Sequence, residues 1–315
     1  MRMLNLNPRR PDCRGLAVTG CAVLLAAGVM AHADEHRFDQ QLPADPHGIV
    51  EISNFSGRID VTGWDQPQVS VLANLPSGVD NLDFRSDRGR TTISVKPKST
   101  FGFGFGVGGD VDLKVKVPRG SEVDVTGVSG DVISSGVTGM QRLKSVSGEI
   151  RADIAQSDVE AKTVSGGISL RGDGKPVELH LTSISGDIRL ERGAGDVEAN
   201  TTSGEIILQV DSGRSVRMRT ISGDVVFRGS LAKDSDVDTQ TVSGDVKFLA
   251  KPETAYEYEV TTFSGDIENC FGAKSEKTSR YGPGERLSGS RGDGNGGGHV
   301  RIKTMSGDVT LCDRP

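Results

Sequence analysis

Apolar and polar positions alternate along most of this chain, and the alternation is broken at regular intervals by a Ser-Gly pair. Val216-Arg217-Met218-Arg219-Thr220 and Val300-Arg301-Ile302-Lys303-Thr304 run inside-outside with period two, the pattern of a half-buried strand. Ile188-Arg189-Leu190 and Val246-Lys247-Phe248 do the same after the pair. The apolar phase slips by one between Thr220 and Ile221 and between Thr304 and Met305. Such a slip would turn a continuous strand inside out, so a bend is expected there, with Gly223 or Gly307 supplying the unusual backbone angles.

The motif recurs through the chain. Copies are Phe55 to Ile59, Val128 to Val132, Val146 to Ile150, Val164 to Ile168, Ile184 to Ile188, Thr202 to Ile206, Ile221 to Val225, Val242 to Val246, Phe263 to Ile267 and Met305 to Val309. From Gly130 to Gly265 the corner glycines step by 18, 18, 20, 18, 19, 21 and 21 residues, and the step to Gly307 is 42. One such unit cannot bury its own apolar face; stacked units can, with hydrogen bonds running between neighbours about 4.8 Å apart. The predicted fold is therefore an all-β, single-stranded β-solenoid with two-strand rungs of 18–21 residues. Thr163, Ser183, Thr201, Thr220, Thr241, Thr262 and Thr304 fall at inward positions, where their hydroxyls can satisfy one another or the corner backbone.

Three sections are expected. Residues 1–33 read as a signal peptide. They comprise a basic region (Arg2, Arg9, Arg10, Arg14), the apolar run Leu16 to Met30 and a small-x-small site, Ala31-His32-Ala33. Val18-Thr19-Gly20-Cys21 is a faint lipoprotein box, but the apolar run lies after the cysteine rather than before it. The mature chain is expected to begin at Asp34. Residues 34–120 form an N-terminal β section continuous with the solenoid, and 121–315 the repeats, with a loop or irregular hairpin inserted at 271–299. Phe101-Gly-Phe-Gly-Phe-Gly106 reads either as a strand with one aromatic face or as a mobile apolar tip.

Charge narrows the class. Without residues 1–33 the chain keeps 33 basic and 42 acidic residues, a net charge of −9, which argues against nucleic acid as a partner. No second long apolar run follows, so no transmembrane segment is expected in the mature chain. Aromatics are 4% of residues and Gly numbers 42, which fits a thin core of strands and tight turns. Cys270 and Cys312 lie five residues after Gly265 and Gly307. If those two units stack as neighbours, the cysteines meet within disulfide range and staple the final unit at the open edge of the stack.

The candidate chemistry is weak. Asp131, Glu149, Asp187, Glu205, Asp224, Asp245, Asp266 and Asp308 each follow a corner glycine and form an acidic ladder. It is either a row of cation sites or a set of solvated corner residues that bond local N–H groups. Gly167 interrupts it, and the additional oxygen ligands of a strong Ca²⁺ site are missing, so neither a metal nor any other cofactor is expected. His36, His47, His180 and His299 sit at unrelated repeat offsets, and no catalytic residue is assigned. Arg171-Gly172-Asp173 and Arg291-Gly292-Asp293 are integrin-type triplets of the kind Gly-rich turns produce by chance. Trp64 is expected to cap the first rung. Arg217, Arg219 and Glu198 are expected on solvated strand faces.

The Ser-Gly-Asp-Val repeats, together with Gly63-Trp64-Asp65 and Val117-Pro118-Arg119-Gly120-Ser121, resemble the bacterial "putative adhesin" domains of unknown function, from about residue 47 to the end. The resemblance implies a β-solenoid, export and, in some relatives, a link to envelope stress; it carries over no catalytic residues. The expected function is that of an exported, non-catalytic protein of the periplasm or cell surface that binds or scaffolds an envelope protein or glycan. The alternatives are an envelope-stress sensor acting through a membrane partner and, behind it, a polysaccharide-active enzyme.

Overall fold

A computed structural model of the chain describes residues 36–76, 79–97, 109–279, 282–292 and 297–313. The expected signal peptide, the Phe101–Gly106 run and Asp293 lie outside the described residues. Every regular element among the described residues is a β-strand.

The alternating segments stack in parallel, like on like. Before the corner, Glu122–Ser129, Gln141–Ser147, Val159–Ser165 and Val177–Ser185 pair in sequence order. The stack continues through the later halves of Ile188–Asn200, Ile206–Ser222 and Val225–Ser243. After the corner, Val132–Ser135, Ile150–Asp153 and Ile168–Arg171 pair in the same order and run on into the earlier halves of those long strands. The registers superpose equivalent residues. Val125, Leu143, Ala161, Leu181, Ala199 and Met218 lie opposite one another in turn, all buried. The core between the two strand rows is thus a set of aliphatic columns, which explains how so few aromatics suffice. The aromatics gather at the two ends. Phe227 stacks on Phe248 at 4.6 Å, Tyr256 and Tyr258 follow edge to face, and Phe271 lies tilted against Tyr258; at the other end Phe38 meets Phe84.

The order of rungs in space departs from the order in sequence at both ends. Gly298–Ser306 lies between Val225–Ser243 and Tyr256–Ser264, and Val309–Cys312 lies between Val246–Ala250 and Ile267–Asn269. The expectation that the final unit sits at the open edge is corrected: the last unit in sequence is interior, and the unit 256–269 is outermost. Cys270 and Cys312 are bonded, with Cα atoms 5.0 Å apart. The bond ties the outermost rung to the interior one. At the other end, Ile49–Ser56 inserts between Arg90–Pro97 and Glu122–Ser129, and Ile59–Trp64 between Leu113–Pro118 and Val132–Ser135.

Antiparallel strands close the stack where parallel pairing stops. Val79–Asp87 covers Arg90–Pro97, Gln68–Leu75 covers Leu113–Pro118, and His36–Pro43 covers Gln68–Leu75. In the segment 271–299, Glu285–Arg291 runs antiparallel along Tyr256–Ser264 and pairs with Glu276–Lys277. Covering these edges removes rows of unpaired backbone groups that would otherwise recruit another chain.

At the corner, the expected phase slip does not occur. Inside-outside alternation runs on through Thr220, which is buried, to Ile221, which is exposed. The strand therefore ends with an apolar side chain in solvent, and the chain turns after it. Gly223 takes φ 148° and Gly307 φ 147°. A Cβ on Gly223 would lie 2.0 Å from the carbonyl oxygen of Gly204 in the adjoining rung, so even a methyl group has no room. The buried hydroxyls of Ser183, Thr201 and Thr262 donate to the corner-glycine carbonyls of adjoining rungs, Gly166, Gly186 and Gly307, at 3.2–3.3 Å.

Candidate functional site

The residue just before each Ser-Gly pair shares the outward phase of the strand leading to it, and at every corner except that of Val128, which is half-buried, it is exposed. Stacking converts these residues into a line. In spatial order they are Phe55, Val128, Val146, Val164, Ile184, Thr202, Ile221, Val242, Met305 and Phe263. Eight of them are large apolar side chains with 42% (Val164) to 62% (Phe263) of their surface in solvent. At about 4.8 Å per step the line is roughly 40 Å long. Thr202 is its one polar member.

Two polar ladders border it. Two residues before each position of the line, on the same outward face, stand Ser53, Thr126, Lys144, Lys162, Thr182, Asn200, Arg219, Gln240, Lys303 and Thr261, with no acid among them. Three residues after the line's positions stands the acidic ladder, broken by Gly167 after Val164 and by Arg58 after Phe55. Its aspartates are structural. The Oδ1 of Asp131, Asp187, Asp224, Asp245 and Asp308 accepts, at 2.8–3.0 Å, the backbone N–H of the corresponding residue in the next rung, namely Glu149, Glu205, Asp245, Asp308 and Asp266. At this end the ladder carries unneutralised charge: Asp224, Asp245, Asp266 and Asp308 have no Lys, Arg or His within ion-pair distance among the described residues. Nor has Lys303 a carboxylate partner, whereas Arg219 pairs with Glu198 and Asp238. No group of three or more His, Cys, Asp or Glu is placed to hold a metal ion among the described residues.

The line deepens near Phe263 into a groove of about 680 Å³. Ile221, Val242, Met305 and Phe263 form its apolar wall, Arg219, Gln240 and Lys303 one rim, and Thr278 of the 271–279 segment closes its end.

The other sequence candidates are dispersed. His36, His47, His180 and His299 are all exposed; His180 contacts Glu178 and Glu198, and His299 contacts Glu257. Arg171 pairs with Glu191, and Arg291 pairs with Asp313 while lying 4.8 Å over the Phe271 ring. Trp64 is half-buried, donates from Nε1 to the Gln68 carbonyl and faces the Lys116 ammonium. The apolar line was missed at the sequence level, although its signal was there: Ile221 is in phase with the outward Arg217 and Arg219, and simple continuation of period two places it in solvent.

The model of the Toastrack family, DUF4097, matches residues 50–312. No curated protein matches the sequence. Solved structures similar to this chain include a "putative cell adhesion protein" from Clostridium sporogenes (9% identity, 88% of this chain and 99% of that one, TM-score 0.28). Others are a "putative lipid binding protein" from Parabacteroides distasonis (12%, 90% and 96%, 0.34) and a "putative adhesin" from Bacteroides fragilis (10%, 88% and 97%, 0.31).

Proposed function

As this chain belongs to the Toastrack family, we propose that it is an exported, non-catalytic binding or scaffolding protein of the cell envelope, and that the apolar line along its corners is the contact surface. The observation that carries this reading is the alignment of eight exposed large apolar side chains on one edge. Single exposed hydrophobics are ordinary, but a contiguous patch beyond a few hundred Å² marks a place of interaction. Export is supported by the basic region, apolar run and Ala31-His32-Ala33, and by a disulfide that suits an oxidising compartment. A non-catalytic role is supported by the dispersal of the histidines and by the use of the corner aspartates as backbone acceptors.

Photo-crosslinking in intact cells tests the reading. A photoreactive residue at position 221, on the line, is expected to form an adduct in the envelope fraction; the same residue at the exposed position 228 is not. Equal labelling at both positions, or none at 221, would overturn the assignment of the line as the contact surface. Turnover of any member of a glycan panel by the purified chain would overturn the non-catalytic reading.

A further inference from the structure

Resting on that reading, we propose that the partner of the apolar line is the same line on a second copy of this chain, the two solenoids lying side by side and parallel about a two-fold axis that runs along the line. Three observations point to this occupant.

The first is area. The eight exposed side chains present on the order of 700 Å² per molecule, so two lines face to face cover roughly 1,400 Å², within the roughly 1,200–2,000 Å² of specific, stable interfaces. The second is pitch. The line repeats once per rung, about 4.8 Å, over roughly 40 Å. A second copy carries the same repeat over the same length, so under this axis each apolar side chain meets its own counterpart at the same height throughout.

The third is charge. The two flanks of the line differ in sign. A two-fold axis along the line places the basic flank of one copy on the acidic flank of the other, rung against rung. Lys303 then meets Asp308 of the second copy, Lys144 meets Glu149, and Arg219 meets Asp224. Lys303, Asp308 and Asp224 lack an ion-pair partner within their own chain among the described residues. The antiparallel arrangement would set acid on acid and base on base, which costs rather than contributes. Isologous pairing of this kind is the commonest route to a closed dimer.

The test uses the mature chain, residues 34–315, in sedimentation equilibrium at micromolar concentration. The wild type is expected at twice the monomer mass. Val242→Lys, on the line, should raise the dimer dissociation constant at least 100-fold without altering the thermal midpoint of a dilute, monomeric sample. Lys303→Glu separates the two arrangements: it weakens the parallel dimer about tenfold and strengthens an antiparallel one. Val146→Cys and Met305→Cys, near opposite ends of the line, should each form a disulfide-linked dimer; failure of both in a chain that still dimerises overturns the parallel pairing. A wild type that stays monomeric at 100 µM overturns the pairing itself. If position 221 still crosslinks to an envelope component of a different mass, the contact-surface reading stands with another partner; if it crosslinks to nothing, both fall.

Discussion

At the scale of single residues the corner is a division of labour. Gly223 supplies the backbone angle and the clearance, and Asp224 supplies the acceptor for the next rung's N–H at 2.8 Å. Gly223→Ala meets both a left-handed φ and a backbone oxygen 2.0 Å from its methyl, and is expected to cost about 2–5 kcal/mol. Asp224 responds differently to its two simplest replacements. Asp224→Asn keeps an Oδ1 acceptor and lessens the repulsion between stacked carboxylates, so its effect is expected within about 0.5 kcal/mol of zero. Asp224→Ala leaves the Asp245 N–H without its partner and should cost about 1–2 kcal/mol. Urea denaturation of the three variants measures the order; an Asn variant as unstable as the Ala variant would mean that the charge matters more than the acceptor. The glycine's role was legible from the repeat alone. The aspartate's was not, because a backbone N–H from 21 residues away comes within reach only once the rungs stack.

At the scale of the element, the informative piece is the antiparallel cover Glu285–Arg291. Its first residue is its anchor. The Glu285 carboxylate accepts from the Lys277 ammonium at 2.8 Å, the Ser275 hydroxyl at 3.0 Å and the Ile267 N–H at 3.3 Å. These donors, the Lys277 hydrogen bond first, outweigh the cost of burial and hold the carboxyl below its ordinary value of 4.5. A depressed pKa contributes stability that is present above the unfolded value and is lost as the pH falls through the folded one. Glu285→Gln is therefore expected to destabilise by roughly 1–2 kcal/mol at pH 7. The difference from wild type should shrink below pH 4.5 and vanish in acid. Denaturation midpoints of both proteins from pH 7 to pH 2 check this; a gap that stays constant across that range would show that the ionised carboxylate is not what anchors the cover. The spacing of residues 271–299 admitted a loop or a hairpin equally. Which it became was settled by the unpaired edge of Tyr256–Ser264, which needed a strand.

At the scale of the whole molecule, the insertion of the C-terminal unit between two earlier ones makes the outer end of the stack conditional. Without residues 298–315, the unit 256–269 loses the strand pairing on its inner side and the disulfide that ties it down. In a repeat stack each unit depends on its neighbours alone. The truncated chain is thus expected to lose hydrogen-exchange protection over 256–269 while keeping that of 122–190. Loss of protection throughout would indicate that the stack folds as one indivisible unit and that the dependence is not local.

The sequence by itself determined the repeat, the strands, the corners and the pairing of equivalent positions into columns, because each follows from a local period of two interrupted at a fixed interval. It also brought Cys270 and Cys312 together, since both occupy the same place in their units. Only the tertiary structure decided which unit neighbours which at the two ends, because stacking energy depends on face and pitch and is nearly indifferent to order along the chain. Only it decided, too, that the pleat runs on unbroken to the corner, so that a residue such as Ile221 keeps the outward phase its sequence position already carried. An apolar side chain in isolation reads as core; its place in solvent follows from the strand's uninterrupted pleat, which sets Thr220, in register with Thr241 of the next rung, inside and so turns Ile221 out.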